Sequence, residues 1–587
     1  MQHAAAFEDS PEEGVEIHHE FRKIIGYFTK KSLLIVTLFF AALGGGAVLL
    51  VLIVNKKGVE LFMKADDFLN ETVKMVKTGA WVAAIQIVLQ ITSAVFKAIV
   101  SPLFLVDIRK RLYVSLMYAD ITYFDKVSSG TMVSRISEGV SYIRDVYVDQ
   151  LFIAVTSITM ALAGFIVAMC WGWKYTLEFV CFPIVLGLEI WAGNKLADRV
   201  YDKYKQKGSE ASDTATAVVT EFRTVKSFDQ EMNEANHFKQ DLKDEESIMI
   251  KVSLVRAFSK MISICILAAM VLVFSWYMMR ELYREKVEMF PMSVCITGVV
   301  LTATGIFSAL SISDEFQKAR AAARNVCAVI EMKPTIDINQ GRVVDNIRGE
   351  VEFRDVSFKY QGCENYALRH LSLKIPAGKT VAFVGESGCG KSTTLQLLQR
   401  FYDVDEGQVL IDDIDIREMS PRSLRKSISI VPQGPVLFTM TIADNIRYGR
   451  MEASDEEVAQ AAVTGNAHNF IMELPDNYKT MVAQTSLSGG QKQRICISRA
   501  ILSPTPILLL DEATAALDTE SEQLVQQSLE HFRHGKTSIM VAHRLATVVH
   551  ADTIFVYQDG HIAEIGTHEE LLKKNGIYAA LAKYQLE

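Results

Sequence analysis

A glycine-rich loop at Gly385–Thr393 has the residue types and the spacing that bind phosphate groups. An apolar run, Thr380–Gly385, precedes the loop, and a helical pattern, Thr394–Phe401, follows it. Glycines let the backbone wrap a phosphate without an obstructing Cβ, and amides at a helix N-terminus point positive partial charge at it. In such a loop we expect Lys391 to reach the β- and γ-phosphates of a nucleotide and Ser392 to ligate Mg2+. The predicted nucleotide-binding members are Gly385, Glu386, Ser387, Gly388, Cys389, Gly390, Lys391, Ser392 and Thr393.

Two adjacent acids end a second apolar strand and fit the same chemistry. The run Pro506–Leu510 is continuously apolar, as a parallel strand that is buried on both faces requires, and Asp511 and Glu512 follow it. Open parallel sheets bind ligands at the carboxyl ends of their strands. We therefore expect Asp511 to hold Mg2+ through water and Glu512 to polarise the water that attacks the γ-phosphate.

A third segment places Ser-Gly-Gly at the start of a helical pattern, within Leu487–Gln491. Its helix N-terminus is a further anion site. The chain thus has two phosphate-binding helix ends but a single lysine-bearing loop. We expect a head-to-tail dimer in which each ATP is clamped between the lysine loop of one subunit and this segment of the other. The expected contacts come from Ser488, Gly489, Gly490 and Gln491.

The elements that position these groups belong to a chain with a separate apolar half. Of its 587 residues 50% are hydrophobic and 22% are charged, and the mean hydropathy is +0.17. These values indicate a membrane part joined to a soluble part, and the net charge of -8 argues against a nucleic-acid partner. Runs of roughly twenty apolar residues cross a bilayer as helices. We predict six spans, near 32–54, 79–101, 151–172, 174–193, 257–280 and 290–312, and a tight turn at Trp171–Lys174 between the third and the fourth.

The orientation of these spans follows from lysine and arginine. A basic amphipathic segment at 20–31 is typical of a helix on the cytosolic membrane surface. The charged segments 102–150 and 194–256 are helix-prone, so we expect the helices to continue beyond the membrane on the cytosolic side. An even number of spans then places the C-terminal half in the cytosol. The loop at 55–78 carries a glycosylation sequon at Asn70, on the predicted outer side.

The first twenty residues are acidic and lack the apolar region of a secretory signal and the basic character of a mitochondrial presequence. We expect the first span to act as its own insertion signal, in the plasma membrane rather than an organelle. The sequence also leaves open that the chain is half of a longer protein.

Taken together, these motifs resemble those of a half-size ABC exporter of the P-glycoprotein-like (multidrug resistance, B subfamily) branch. The resemblance implies a multi-domain chain: an all-α six-helix transmembrane domain (type IV ABC exporter), then an α/β P-loop nucleotide-binding domain. The implied domains are a cytosolic N-terminus with an elbow helix at 1–31, the six-span domain at 32–320, a linker at 321–348 and the nucleotide-binding domain at 349–587. The implied activity is ATP hydrolysis coupled to transport, with ATP and Mg2+ as cofactors.

The resemblance also assigns roles to residues outside the loops above. Tyr360 would stack on adenine, and Asp518 would lie beside the nucleotide. Gln433 would sense the γ-phosphate and join Ser392 and Asp511 as an Mg2+ ligand. His543 would contact the γ-phosphate, so that the implied catalytic residues are Glu512, His543 and Gln433.

The membrane half resembles the same family more loosely. The segments 123–136 and 221–228 are similar to the two cytosolic loops whose coupling helices carry nucleotide-driven motion to the spans. One feature departs from the family. Between Val482 and Leu487 only four residues stand where the family has a longer stretch with an acid, which puts the strength of coupling in doubt.

The cargo is left open by the sequence. Methionine and aromatic residues in the last two spans suit hydrophobic or amphipathic compounds. The candidate cargo contacts are Glu189, an acid inside the fourth predicted span, and Phe274 and Phe307. The alternatives are a peptide or lipid exporter, or a nucleotide-gated channel or regulator. The second half-transporter could be the same chain or a different one.

Cys389 lies inside the phosphate loop, next to a helix N-terminus that favours a thiolate. We expect its alkylation to block ATPase activity, and ATP to protect it.

Overall fold

The computed structural model describes residues 17–47, 49–50, 54, 68–127, 129–179, 182, 184–193, 195–197, 199, 215, 218–219, 221–284, 289–310, 313–482, 487–512, 526, 529–530, 532–542 and 548–586. The chain divides into two compact units. The first contains Met1–Met117 and Ser128–Met332, and the second contains Tyr118–Val127 and Lys333–Glu587. The division after Met332 falls inside the segment predicted as a linker.

The first unit is helical. Its helices are α1 (Ile17–Tyr27), α2 (Lys31–Gly46), α3 (Phe68–Met117), α5 (Ser129–Ser134), α6 (Val140–Arg144), α7 (Leu151–Phe179), α8 (184–193), α9 (Phe222–Ser227), α10 (Glu231–Tyr283), α11 (Met289–Leu310) and α12 (Ser313–Ile330); the short helix α4 (Ile121–Lys126) belongs to the second unit. Two π-helical turns, Arg135–Gly139 and Asp145–Gln150, flank α6. The helices α3 and α10 run for 50 and 53 residues, longer than a bilayer requires, as the charged flanking segments predicted.

Among the described residues, four helical stretches are long and apolar enough to cross a membrane: Thr72–Met117, Gly130–Leu177, Met249–Tyr283 and Met292–Ala309. The apolar helix α2 is shorter. The third and fourth predicted spans meet within α7, where Gly172 leaves the helical region at φ -160° and ψ 58°. This break coincides with the predicted turn after Trp171, and α8 supplies the described remainder of the fourth span.

Small residues hold the membrane helices close together. A Cβ on Gly164 of α7 would stand 2.6 Å from the carbonyl oxygen of Gly298 on α11, and a Cβ on Gly305 would meet the Ser157 carbonyl oxygen at 2.6 Å. Membrane helices associate through such close backbone approach because lipid tails give no hydrophobic drive between helices. The basic helix α1 buries Ile24, and Phe28, the residue after the helix, is also buried.

The second unit contains two sheets. Its strands are β1 (Val351–Phe358), β2 (Leu368–Ile375), β3 (Thr380–Gly385), β4 (Glu406–Ile411), β5 (Ile414–Asp415), β6 (Ile428–Val431), β7 (Ile507–Asp511), β8 (Thr537–Val541), β9 (Thr553–Gln558) and β10 (His561–Gly566). An antiparallel sheet has the order β2-β1-β4-β5, and a six-stranded sheet has the order β10-β9-β3-β8-β7-β6. In the larger sheet β9, β3, β8, β7 and β6 are parallel, and β10 is antiparallel to β9.

The parallel strands are apolar because both of their faces are covered. All five residues of β8 are buried, as are Ile507–Leu510 of β7. Besides α4, the described helices of the unit are α13 (Lys391–Leu398), α14 (Pro421–Lys426), α15 (Ile442–Arg447), α16 (Asp455–Thr464), α17 (His468–Met472), α18 (Gly489–Leu502), α19 (His568–Lys574) and α20 (Ile577–Leu586). Because β3, β6 and β7 point the same way, their carboxyl ends bring the predicted phosphate loop, Gln433 and the two acids to one edge.

Candidate nucleotide site

The phosphate loop joins β3 to α13 through three glycines with positive φ. Gly385, Gly388 and Gly390 have φ values of 154°, 83° and 105°. A Cβ on Gly385 would stand 2.5 Å from the Tyr557 carbonyl oxygen, and one on Gly390 would stand 2.8 Å from the Ala367 carbonyl oxygen. Glycine is therefore required here for both dihedral angles and space, and the loop has the conformation of a phosphate cradle.

Lys391, the first residue of α13, folds over this loop. Its Nζ donates hydrogen bonds to the carbonyl oxygens of Gly385 at 2.8 Å and Glu386 at 2.7 Å, and it lies 3.6 Å from Cys389 Sγ. The side chain is buried, with 5% of its surface exposed. The Lys391 ammonium is thus held beside the loop amides. When a phosphate enters the loop, its anionic oxygens would replace the two carbonyl oxygens as hydrogen-bond acceptors of this ammonium.

Ser392 and Asp511 meet where the sequence predicted a metal. Ser392 Oγ donates to Asp511 Oδ1 at 3.4 Å, although 119 positions separate the two residues. Both supply oxygen atoms, the donors that Mg2+ prefers. This hydroxyl–carboxylate pair fits a hydrated Mg2+, with the serine and aspartate oxygens as its protein ligands.

Gln433 and Glu512 form the other pair at this edge. Gln433 Nε2 donates to Glu512 Oε2 at 2.7 Å. Glu512 has a φ of 48°, a left-handed conformation that a non-glycine residue seldom adopts, and its amide donates to the Val541 carbonyl oxygen at 3.1 Å. Such backbone strain is typical of positions where a side chain is aimed for chemistry.

The helix α18 begins with a capping box. The amide of Gln491 donates to Ser488 Oγ at 3.2 Å, and the amide of Ser488 donates to Gln491 Oε1 at 2.9 Å. The serine oxygen accepts in this arrangement, so its O–H proton stays available for a phosphate oxygen. Of the first two residues of α18, Gly489 is exposed beside it and Gly490 is buried.

Tyr360 lies against two other aromatic rings. Its ring centroid is 5.0 Å from that of Phe358 and 5.4 Å from that of Tyr402. Its hydroxyl donates to Gln396 Oε1 at 2.7 Å, which makes the Thr393 hydroxyl, 3.1 Å away, the donor of the second bond. Burial raises the pKa of Tyr360 above its usual value. The predicted adenine-stacking residue is therefore fixed to α13, the helix that follows the phosphate loop.

The helix α4 is tied to the same aromatic cluster. Tyr402 donates its hydroxyl proton to Asp125 Oδ2 at 2.7 Å, and burial and this bond raise the pKa of Tyr402. The preceding Asp120 accepts from the amides of Thr335 at 2.6 Å and Ile336 at 3.2 Å. Sequence reasoning placed Asp125 in a coupling helix but missed Tyr402, which no motif marks.

Several predicted residues lie outside the described part of the chain. These are Asp518, His543 and the shortened stretch 483–486 before the signature segment. The described flank of that stretch is ordered by a bridge between Thr441 and Met481. Asn70, of the sequon, is exposed near the start of α3.

The candidate cargo residues occupy different environments. Glu189 of α8 accepts hydrogen bonds from Ser259, at 2.9 Å, and Ser263 of α10, so it joins two membrane helices. Phe274 is 1% exposed and packs in a cluster with Ala168 of α7. Phe307 of α11 is half-buried. The same cluster includes residues of α11, so Phe274 reaches a cargo only if α10 separates from α7 and α11.

Comparison with known proteins finds two family profiles that match this chain, one in each half. The sequence profile described as "ABC transporter" matches residues 368–515, and that described as "ABC transporter transmembrane region" matches residues 34–301. These matches cover the site-bearing unit and the membrane helices.

Proteins whose names give different functions are similar to this chain in sequence. The human "ATP-binding cassette sub-family B member 5" is 36% identical over 485 residues, which are 81% of this chain and 39% of that protein. The "ATP-dependent lipid A-core flippase" of Salmonella paratyphi A is 35% identical over 481 residues, 81% of this chain and 82% of that protein. The "Mitochondrial potassium channel ATP-binding subunit" of Xenopus tropicalis is 36% identical over 489 residues, 82% of this chain and 70% of that protein.

A solved structure covers nearly the whole chain. The structure of a bacterial Atm1-family ABC exporter with ATP bound has a TM-score of 0.85 and 26% sequence identity, covering 95% of this chain and 99% of that one. It confirms the predicted type IV exporter fold. The chain belongs to the ABC transporter family, as an integral membrane protein of the B-subfamily exporter type with an ATP-binding domain of the transport-ATPase class.

Proposed function

We propose that this protein exports hydrophobic or amphipathic compounds across a membrane by alternating access, driven by ATP hydrolysis. The observation that carries the proposal is the alignment of five polar residues, at the ends of three parallel strands, on one sheet edge. Lys391 and Ser392 follow β3, Gln433 follows β6, and the two acids end β7. This set suits phosphoryl transfer to water, which needs positioning and charge stabilisation rather than a covalent intermediate.

Each residue then has a defined task. Lys391 binds the β- and γ-phosphates, and the loop amides of residues 385–393 hold the phosphate chain. Ser392, Asp511 and Gln433 hold Mg2+, which supplies charge neutralisation on the phosphate oxygens. Glu512 orients the attacking water, with Gln433 fixing the position of its carboxylate at 2.7 Å. For three further residues we propose the roles that the family resemblance implies. His543 contacts the γ-phosphate, Asp518 lies beside the nucleotide, and Tyr360 stacks on adenine.

The working unit is a dimer with two composite ATP sites. The capping box that leaves the Ser488 proton available supports this arrangement, because that serine sits on an anion-binding helix end separate from the lysine loop. Ser488, Gly489, Gly490 and Gln491 of one subunit would close on ATP held by the other. We favour a second copy of this chain as the partner, with another half-transporter as the alternative, and the plasma membrane as the location.

The cargo class rests on the membrane unit. An acid at Glu189 and aromatic rings at Phe274 and Phe307 suit amphipathic molecules that carry a cation, once the helices around them separate. The 35% identity to a lipid A-core flippase over 82% of that protein supports lipid export as the second candidate. The 36% identity to an ATP-binding subunit of a potassium channel supports a regulatory alternative.

Transport into sealed vesicles separates these functions. Purified protein in proteoliposomes, with its ATP-binding domain facing outward, should concentrate a fluorescent hydrophobic cation in the lumen when ATP is present. A Glu512→Gln variant should not. ATP-dependent potassium flux without cargo uptake would instead favour the channel-regulator alternative.

A further inference from the structure

A cavity of about 550 Å³ lies between α2, α3 and α7, inside the first unit. Small residues open this space, including Gly44 of α2 and Ala94 of α3. A Cβ built on Gly44 meets nothing within 4 Å, whereas one on the adjacent Gly45 would collide with Thr159 Oγ1 of α7 at 2.1 Å. Gly45 is therefore needed for packing, while Gly44 borders open space. The volume is within the usual range for small-molecule sites.

An ion pair faces this cavity. Lys97 Nζ of α3 lies 3.4 Å from Asp149 Oδ1, and Ser101 Oγ lies 3.4 Å from Asp149 Oδ2. The two charged side chains are 29% and 27% exposed. Charge-assisted hydrogen bonds in a tight ion pair are usually about 2.7–2.9 Å long. The Lys97 and Asp149 charges are therefore farther apart than in a tight pair, and one side of the pair is open to the cavity. Lys97 Nζ also lies 5.4 Å from the ring centroid of Phe152.

Lys97 lies four residues before the end of the second predicted span, and Asp149 lies two residues before the start of the third. Thr29, just before α2, donates to Asp107 of α3 from its amide at 3.1 Å, which marks one end of the α2–α3 contact. Lys97 precedes Asp107 by ten residues, or about 15 Å of helix. Lys97 is thus a charged side chain inside a predicted span, and such residues are candidates for functional sites.

Backbone irregularities supply further polar groups at the cavity. Pro102 lines it and has no amide proton, so the carbonyl oxygen of Ala98, also a lining residue, receives no helical bond from position 102. Asp149 is in the π-helical turn Asp145–Gln150, a type of irregularity that often marks functional sites. The Gln90 side chain adds an amide at another part of the wall.

We propose that the cavity binds a zwitterionic amphiphile, a molecule with a phosphate and an ammonium group on an acyl chain. The phosphate pairs with Lys97, and the ammonium pairs with Asp149 and the Phe152 ring. The chain lies along the small apolar residues of α2 and α3. The proposal rests on the export function above and adds a second class of amphipathic cargo to the cationic compounds proposed for the region of Glu189.

The net-neutral charge pair selects against singly charged ligands. An anionic amphiphile that took Lys97 would leave the Asp149 carboxylate unpaired in an apolar surrounding, and a cationic one would do the same to Lys97. The two side chains are 29% and 27% exposed, so a charge left without its partner there is partly desolvated, which is unfavourable. A zwitterion replaces both partners at once.

Equilibrium binding of radiolabelled lysophosphatidylcholine to the full chain in phosphatidylglycerol nanodiscs tests the site. Lysophosphatidic acid and dodecyltrimethylammonium serve as the singly charged competitors. Gly44→Leu fills the cavity, and Gly46→Leu is its matched control, because a Cβ there also meets nothing within 4 Å but Gly46 does not line the cavity. Lys97→Met removes the cation, with Lys110→Met on the same helix as control.

We expect Gly44→Leu and Lys97→Met each to weaken binding about tenfold or more, while both controls bind like the wild type. The double variant Lys97→Met/Asp149→Leu replaces both charges by apolar groups and so leaves no unpaired charge that could destabilise the fold. It should also lose binding. If nanodiscs of phosphatidylcholine suppress the binding of lysophosphatidylcholine, the occupant of the cavity is a bilayer lipid. If they do not suppress it, the occupant is a free amphiphile. Equal binding by Gly44→Leu and Gly46→Leu, or stronger competition by either singly charged probe, would overturn the proposal.

Binding in these assays needs no turnover, so the two proposals fail separately. Wild-type ATPase activity above that of Glu512→Gln without lysophosphatidylcholine binding contradicts the cavity assignment alone. Binding without such activity contradicts the export function.

Discussion

Gln433 Nε2 and Glu512 Oε2 are joined by a hydrogen bond of 2.7 Å, although the residues follow different strands of the parallel sheet. The bond fixes the position of the Glu512 carboxylate, which we propose orients the attacking water. It also holds the Gln433 side-chain amide next to that carboxylate. Because Gln433 is also a proposed Mg2+ ligand, the pair links metal binding to the orientation of the water.

Gln433→Ala should lower the kcat of ATP hydrolysis about a hundredfold, since loss of positioning on this scale follows from a misplacement of about 1 Å. The affinity for ATP should change little, because Lys391 and the loop amides remain. Steady-state ATPase assays together with fluorescent-nucleotide binding measure the two quantities. Gln460→Ala, at an exposed position of α16, is the control; a similar kcat for both variants would refute the assignment.

Lys391→Met should remove ATP binding. The variant loses the ammonium that the Gly385 and Glu386 carbonyl oxygens hold beside the loop. ATP that binds the native state raises the melting temperature, so the wild type should show an ATP-dependent rise and the variant none. Lys573→Met, at an exposed position of α19, should retain the rise. A normal ATP-dependent shift in Lys391→Met would show that the phosphates bind elsewhere.

Tyr402→Phe removes the hydroxyl that donates to Asp125 and leaves the aromatic packing in place. If α4 acts as a coupling helix, stimulation of the ATPase by cargo should fall while basal turnover persists. Asp125→Asn keeps an acceptor oxygen and should have a milder effect. The control is Tyr366→Phe, which alters an exposed ring. Undiminished stimulation in Tyr402→Phe would remove this bond from the coupling route.

Alkylation of Cys389 should block ATP hydrolysis. The thiol is 8% exposed and lies 3.6 Å from Lys391 Nζ, so an added group would occupy the space of the phosphates. Preincubation with ATP should protect the activity from N-ethylmaleimide. Cys389→Ala should resist the reagent, while Cys363→Ala, which lacks an exposed thiol elsewhere, should remain sensitive. Equal sensitivity of the two variants would contradict the prediction.

The nucleotide-binding half was largely predictable because its chemistry lies in short contiguous motifs. Continuous apolar runs before the phosphate loop and before Asp511 indicated parallel strands, and the common edge of such strands predicted the meeting of Ser392 and Asp511. The contacts of Tyr402 with Asp125 were not predictable, since a single tyrosine and a single aspartate far apart in the chain carry no periodic signal.

The helices of the membrane half could be predicted from the sequence, but its polar contacts could not. The apolar runs predicted where helices cross, and Trp171 to Lys174 predicted the break that the structure has at Gly172. Lys97 and Asp149 each stand beside an apolar run, and their pairing depends on helix rotation, which hydropathy does not encode. Glu189 was recognised as an acid inside a span, but its serine partners follow from tertiary packing alone.

The most direct test of ATP-driven export is the ATPase activity of the purified protein in lipid, compared with Glu512→Gln. A panel of hydrophobic cations, lipids and peptides is added to each. Our account predicts basal turnover that falls at least about a hundredfold in the variant and rises with one cargo class in the wild type. Folded wild-type protein whose turnover equals that of Glu512→Gln under every condition would contradict a self-sufficient exporter.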